Sequence, residues 1–296
     1  MEGSTNAAAA SGFVESDPLA RALLFVPPES DQLVEDSLYD RPSSPARMGR
    51  ELRNLAARLR EDAGVDVSCV EVPLDVFRRH PNVHFLRDSL LATPLGVVVA
   101  RPAMGSRRGE TEILLDLLHR QGITVLGPIR PPATLEGADC LWLEPAALVC
   151  AVGGRTSEVG VAQLERMLEP AGVRCHRVSA PRGVRHLLGA IQLVGPHLAL
   201  VRADLLDDSV RERTSRLNVT TLPVPECAAL TGDHGFNFVV TGPRRVVASA
   251  GHPELVTWLR TTAGVEVVGQ VSYAGLAAAG GGIACATGVL QRRRRL

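Results

Sequence analysis

A segment made of an apolar strand, a one-turn break and a second apolar strand recurs along this chain at a near-constant step. The copies read FLRDSLLATPLGVVVARP, DCLWLEPAALVCAV, IQLVGPHLALVRA and FNFVVTGPRRVVASA. Asp139 follows Asp88 by 51 residues, Asn237 follows His186 by 51, and Cys285 follows Asn237 by 48. A period of roughly 20 to 50 residues marks solenoids, propellers and arrays, because one such unit cannot bury its apolar face alone. The copies carry different polar residues at similar places: an acid, an acid, a His, an Asn, then a Cys in GGGIAC. A closed ring of repeats would aim one residue of each type at a common centre.

Composition narrows the class. The chain has 296 residues, 45% of them hydrophobic but only 3% aromatic, so a large core is available, packed mainly by Leu, Val and Ala. No apolar run reaches the ~18 residues of a membrane span, and MEGSTNAAAASGF lacks the charge-then-apolar layout of a secretory signal. The expectation is a cytoplasmic protein without membrane contact. The six cysteines show no CxxC spacing, which argues against zinc, and five lie in apolar stretches as small core residues. A net charge of +0 offers no field for nucleic acid. All 32 basic residues are Arg, which excludes Schiff-base chemistry through a lysine.

Residues 1–18, rich in Ala, Ser and Gly, are expected to be disordered. RALLFVPPE reads as the first strand, and the polar stretch SDQLVEDSLYDRPSSP after it is either a surface loop or an active-site lid. Leu52, Leu55 and Leu59 give the 3.6-residue period of a helix over 47–61. Helices follow at 108–121 with Ser106 as N-cap, after Thr156 or Ser157, at 207–217, and at 252–262 with Pro253 in the first turn. Each unit therefore reads strand, strand, helix, strand. The last strand, GGIACATGVL, finds partners only by joining the N-terminal strand and closing the ring, which also removes sheet edges. A single domain over 19–290 and a basic tail at 291–296 complete the organisation. Four arginines at a free end are usually solvated rather than bound to nucleic acid.

The chemistry centres on Cys285. Three glycines before it let backbone or substrate approach closely, although a buried core Cys after a tight turn is the plain alternative. His186 enters an apolar strand, where a lone His is commonly just hydrogen-bonded. Asp88, Glu136 and Asp139 lie beside apolar strands, where carboxylates are costly to bury without a cation. A bound cation satisfies them, as would pairing with Arg87. Their joint recurrence favours one site.

The segments PNVHFLRD, RPAMGSRRGET, LEGAD, GGRTS, the HLLG histidine and GGGIACATG resemble, in order and separation, the guanidine-modifying penteins. That superfamily includes dimethylarginine dimethylaminohydrolases, arginine and agmatine deiminases and amidinotransferases. The resemblance covers roughly residues 20–290 and looks closest to the dimethylaminohydrolases. It implies a pseudo-symmetric five-unit α/β-propeller of ββαβ repeats around a central site, without metal or organic cofactor. It also implies Cys285 as nucleophile and His186 as general acid and then base. Glu136 and Asp88 would hold the guanidinium, and Arg107, or Arg108 in its place, would hold an α-carboxylate with Arg155.

Departures bear on the substrate. Asn82 and Arg87 stand where dimethylaminohydrolases commonly have acids, with Asn82 a substrate-binding candidate. Leu188 replaces an acid, and Ala284 an arginine, that deiminases often carry. A lost carboxylate leaves apolar space, which suits a guanidine bearing an alkyl group. The expected activity is hydrolysis of an Nω-methylated arginine to citrulline and an amine. An arginine deiminase, an amidinotransferase or a non-catalytic binding protein are the alternatives. The partner is a small guanidine, and the oligomeric state is left open, a homodimer included.

Overall fold

The computed structural model describes residues 11–225 and 235–294; Cys227 and the outermost residues of both termini lie outside them. The recurring hairpin pattern appears as five small sheets. In the second unit, Leu90–Thr93 pairs antiparallel with Gly96–Val99, and helix Glu110–Arg120 returns the chain to Val125–Pro128, parallel to the second strand. The third unit repeats this with Cys140–Glu144, Ala147–Val152, helix Glu158–Leu168 and Arg174–Ser179. The fourth uses Ile191–Gly195, Leu198–Val201, helix Asp208–Arg216 and Thr220–Pro223. The fifth uses Val239–Gly242, Arg245–Ser249, helix Pro253–Thr261 and Glu266–Val271. Parallel neighbours need a crossover of a dozen or so residues, and the amphipathic helices supply it.

The first unit is assembled from both ends of the chain. Leu19–Val26 pairs parallel with Asp66–Glu71 across helix Pro45–Glu61, while Gly288–Arg293 takes the antiparallel place that a hairpin partner fills elsewhere. The expected union of first and last strands is therefore present, and it covers an edge that would otherwise be exposed.

Local rules explain the element boundaries. Ser157 caps its helix by accepting from the Gly160 N–H at 3.1 Å, and Val161, Leu164 and Leu168 then fall on one fully buried face. Burying such a side chain contributes roughly 1.5–3 kcal/mol. Ser106 does not cap the next-door helix as expected. That helix starts at Glu110, after a left-handed Gly109 at φ +96°, because the Arg107 side chain turns inward and the chain forms a short 3-10 turn there. No helix among the described residues is long and apolar enough to cross a membrane.

Two terminal expectations are corrected. Within the stretch expected to be disordered, Val14, Glu15, Ser16 and Asp17 are buried. The Glu15 N–H donates to the Trp142 carbonyl at 2.9 Å, and its carboxylate lies between Arg87 Nη2 at 2.6 Å and Arg292 Nη2 at 3.6 Å. Arg292, assigned to a solvated tail, is buried, and its Nη1 donates to the Asp17 and Val240 carbonyls. FVESD looks polar because it supplies the counter-charge for two buried guanidiniums. Arg87 consequently faces Glu15 and not its neighbour Asp88.

Removing that counter-charge strands two cations. Glu15→Ala is expected to lower unfolding stability in chemical denaturation by about 3–5 kcal/mol. Glu29→Ala, which breaks an exposed pair with Arg53, should cost no more than about 1 kcal/mol.

Candidate active site

Each unit opens with a short turn just before its first strand, and those turns converge. Helix Leu86–Ser89 carries Asp88, the Gly137–Asp139 turn follows Glu136, and the Leu187–Gly189 turn follows His186. Asn237 lies just before Val239, and helix Ile283–Ala286 carries Cys285 ahead of the last strand. The repeat thus acts as a positioning device: one equivalent turn per unit, one reactive side chain per turn. A cavity of about 280 Å³ lies among them, lined by Asn82, Phe85, Asp88, Arg107, Arg155, His186, Leu188, Asn237 and Cys285, among others.

The polar contacts are specific. His186 Nε2 and Glu136 Oε2 are 2.5 Å apart, and His186 Nδ1 is 3.6 Å from Asp88 Oδ1. Asp88 Oδ2 accepts from Arg107 Nη1 at 2.7 Å, whereas Asp88 Oδ1 is buried without a hydrogen bond. That oxygen has the His186 imidazole as an ion-pair partner but no hydrogen bond, and a buried carboxylate oxygen beside a cavity favours a cationic donor. Asp139 does not reach the cavity. It accepts from Thr156 Oγ1 at 2.8 Å and the Leu187 N–H at 3.1 Å, which fixes the turn presenting His186.

The sequence-selected residues fall out differently. Cys285, His186, Asp88 and Arg155 line the cavity as expected. Glu136 is fully buried behind His186, with Oε1 accepting from the Ala103 N–H at 3.1 Å, so its reach into the site runs through the imidazole. Asn82 lines the cavity but donates to Asp36 Oδ1 at 2.9 Å. Arg107 is the main correction. Its guanidinium is 1% exposed and is held by both Glu110 oxygens, Asp88, Ser89 Oγ and the Phe85 carbonyl. With Nε and Nη2 engaged by Glu110, Ser89 and Phe85 and Nη1 bound to Asp88, it serves first as a structural counter-ion in the cavity wall. Arg108, the alternative, does not line this cavity.

Three further contributors were not selected from sequence. Arg202 and Arg185 line the cavity, and Asn237 contacts the cysteine. Asn237 had a signal, its place in the repeat; Arg202 had none. The polar stretch after the first strand lies over the cavity and contributes Leu38 and Asp40 to its wall. Arg185 Nη2 donates to the Leu38 carbonyl at 2.9 Å and to Asp40 Oδ1 at 3.0 Å, and the Asp40 and Arg41 N–H groups donate to the Ala278 carbonyl. Gly280 has φ +83°, and a Cβ there would sit 2.5 Å from the Leu38 carbonyl oxygen. The first glycine of the GGG run thus makes room for the covering strap.

Electrostatics set the resting protonation. Burial opposes charge on His186, but Asp88, Glu136 and Asp139 outweigh it and raise its pKa to about 9. Burial pushes Glu136 up, yet the His186 hydrogen bond and charge hold it down at about 2. The pair is an imidazolium–carboxylate. Burial and the Asp88 carboxylate raise the Cys285 thiol, partly offset by the Gly282 backbone, Asn237 and Arg185. The resting site is therefore a neutral thiol facing an imidazolium. Ligand atoms of Asp88, Glu136 and His186 lie within 4.8 Å of one another, a spacing that could hold a metal ion. The site already has the Arg107 guanidinium on Asp88 and His186 as its cations, which disfavours adding a divalent one.

A family model described as arginine deiminase matches residues 73–180. A dimethylarginine dimethylaminohydrolase of Streptomyces coelicolor is 29% identical over 174 residues, covering 59% of this chain and 62% of that protein. One from Pseudomonas aeruginosa is 29% identical over 123 residues, covering 42% and 46%. The chain thus spans less than two thirds of the curated relatives it matches. Among solved structures, DDAH from Pseudomonas aeruginosa complexed with citrulline superposes with a TM-score of 0.74 at 21% identity, covering 93% of this chain and 99% of that one. An amidinotransferase from Microseira wollei gives 0.75 at 18% identity, covering 97% and 98%. These solved structures share the fold.

Because Glu136 holds the imidazolium, Glu136→Gln is expected to lower the His186 titration, followed by NMR of the imidazole, by about one pH unit or more. An unchanged midpoint would remove Glu136 from the pair.

Proposed function

We propose that this chain, which resembles the guanidine-modifying penteins and among them the dimethylarginine dimethylaminohydrolases, hydrolyses an Nω-substituted L-arginine to L-citrulline and an alkylamine. The observation that carries this reading is the orphaned Asp88 Oδ1 in the same cavity as Cys285. A guanidinium is planar, cationic and rich in donors, so it satisfies such a carboxylate. Bound there, it also cancels the negative charge that helps hold the Cys285 proton, and the thiolate becomes accessible.

The steps follow from the groups present. Once the guanidinium is bound, the Cys285 thiol gives up its proton to solvent, because His186 is already protonated, and the thiolate sulfur attacks the guanidine carbon, forming a C–S bond and a tetrahedral adduct. His186, already an imidazolium, gives its proton to the alkylated nitrogen as the C–N bond breaks, and the amine departs. That leaves a covalent thiouronium and a neutral imidazole. The imidazole takes a proton from water as the hydroxyl adds to the carbon, and loss of sulfur releases citrulline. Glu136 stabilises the imidazolium at both ends of the cycle.

Two features favour an alkylated amino acid. Leu188, Phe85, Val184 and Phe236 line the cavity, giving an alkyl group apolar surroundings in place of a further acid. The α-carboxylate falls to Arg155 and Arg202. Arg155 makes only a 3.5 Å contact with Glu136, and Arg202 makes no ion pair or side-chain hydrogen bond among the described residues. An amidinotransferase would share the first half-reaction, with an amine replacing water, and the likeness to one such structure keeps that reading in view. The family model that matches residues 73–180 does the same for a deiminase, in which ammonia leaves.

The test is citrulline formation from arginine, Nω-monomethylarginine and asymmetric dimethylarginine. Citrulline should form from the methylated compounds and fall at least about a thousandfold in Cys285→Ser. Product from arginine alone would make the chain a deiminase, and none from any of the three would rule out the hydrolase. Arg155→Met and Arg202→Met should each raise KM about tenfold to a hundredfold with a smaller effect on kcat, as loss of a charged hydrogen bond requires.

A further inference from the structure

One recurring polar residue has no part in the reaction as written. Asn237 stands at the place in the fifth unit that Asp88 and His186 occupy in theirs, yet it is neither acid, base nor charge. Among the described residues, its side-chain hydrogen bonds all go to the nucleophile segment. The amide oxygen accepts from the Ala284 N–H at 2.7 Å and the Cys285 N–H at 3.2 Å, and Nδ2 lies 3.0 Å from Cys285 Sγ. The orientation of the amide is determined by those contacts. Flipping it would set its N–H₂ against two backbone donors, so the oxygen faces the backbone and the donor faces the sulfur. The chain makes room for this approach. A Cβ at Gly282 would lie 2.7 Å from the Asn237 Cγ and Oδ1, so the third glycine of the GGG run seats the amide.

We infer that Asn237 is the positioning residue of the nucleophile: one rigid amide anchors the Cys285 backbone and donates to its sulfur, directing the sulfur into the cavity and stabilising the thiolate. This deepens the reading of Cys285 as nucleophile and rests on it. The physical reason is a difference between the two forms of the sulfur. A thiol sulfur is a weak acceptor, whereas a thiolate is a charged one, and hydrogen bonds to charged acceptors are roughly twice as strong. A donor fixed on the sulfur therefore favours the form that attacks. Asp88 opposes the thiolate and Arg185 favours it, with His186 on the same cavity wall. Asn237 differs from these in needing no partner to change protonation.

The test reads the sulfur directly. Full-length wild type, Asn237→Ala and Asn237→Asp are alkylated with iodoacetamide from about pH 6 to about pH 10, and adduct on the Cys285 peptide is quantified by mass spectrometry. Asn237→Ala removes the donor without adding charge. Its alkylation midpoint should rise by roughly half to one pH unit, slowing the reaction about three- to tenfold at a fixed pH below the midpoint. Asn237→Asp keeps the oxygen that anchors Ala284 and Cys285 but replaces the donor with a carboxylate, so its midpoint should rise further. A residue that merely supports the fold would change thermal stability without producing this order. Coincident midpoints for folded wild type and Asn237→Ala overturn the inference. If the Ala variant does not fold, an unchanged midpoint in Asn237→Asp overturns it equally. Alkylation requires no substrate, so the outcome is separate from turnover. The expected order with no citrulline from wild type would sink the reaction and leave Asn237 as assigned; citrulline without the order would do the reverse.

Discussion

Arg107 is a guanidinium buried at the junction of the units, and the site is organised around its neutralisation. Burial works against its charge, and Glu110 and Asp88, with Glu136 further off, keep it charged. The arrangement is asymmetric. Glu110 gives both oxygens to Arg107, with Ser89 as a further partner, while Asp88 gives one and turns the other, without a hydrogen bond, toward His186. A buried arginine cannot discharge itself, so this carboxylate stays oriented whether or not anything occupies the cavity. The cost of burying charge thereby becomes preorganisation: Asp88 does not have to reorganise when a cation arrives.

The same logic operates on the opposite side of the unit junction. Glu15 sits between Arg87 and Arg292, drawing together a turn beside Asp88, the N-terminal segment and the last strand. Adjacent residues Arg87 and Asp88 therefore belong to two different buried charge clusters. Since Gly288–Arg293 also completes the first sheet, the helix carrying Cys285 is held between two well-anchored elements. Removing either anchor would loosen the nucleophile relative to Asp88 and His186, although neither Glu15 nor Arg292 lines its cavity.

Much of this was legible in the sequence because it rests on period and residue type. The hairpin repeat gave the sheets, the 3.6-residue stripes gave the helices, and the changing polar residue gave Asp88, His186 and Cys285 as convergent. What failed depended on where side-chain donors go. Arg107 and Arg155 look alike as arginines in short motifs, and only the structure shows Glu110, three residues on, enclosing the first. Phe13–Asp17 looked like a polar tail because a buried carboxylate cannot be recognised until its cations are located. Arg202 offered no pattern, since its relevance is that it makes no ion pair or side-chain hydrogen bond among the described residues. Asn237 was visible as a repeat position but not as a role, because its function lies in three hydrogen bonds.

The charge arrangement also bears on how the proposed reaction would release its product. A guanidinium on Asp88 removes the negative charge that helps hold the thiol proton, so a cationic ligand promotes its own attack. Citrulline has a neutral ureido group in that place. It offers N–H donors to Asp88 but no cancelling charge, and the thiol would return to its protonated state. The free Asp88 oxygen would then discriminate twice by one electrostatic criterion, admitting the cation and weakening its hold on the neutral product. A second carboxylate at Leu188 would bind the guanidinium more tightly, but it would add another negative charge near the sulfur. An apolar residue there leaves Asp88 as the carboxylate that adds to burial in opposing the thiolate, and the substrate itself neutralises it.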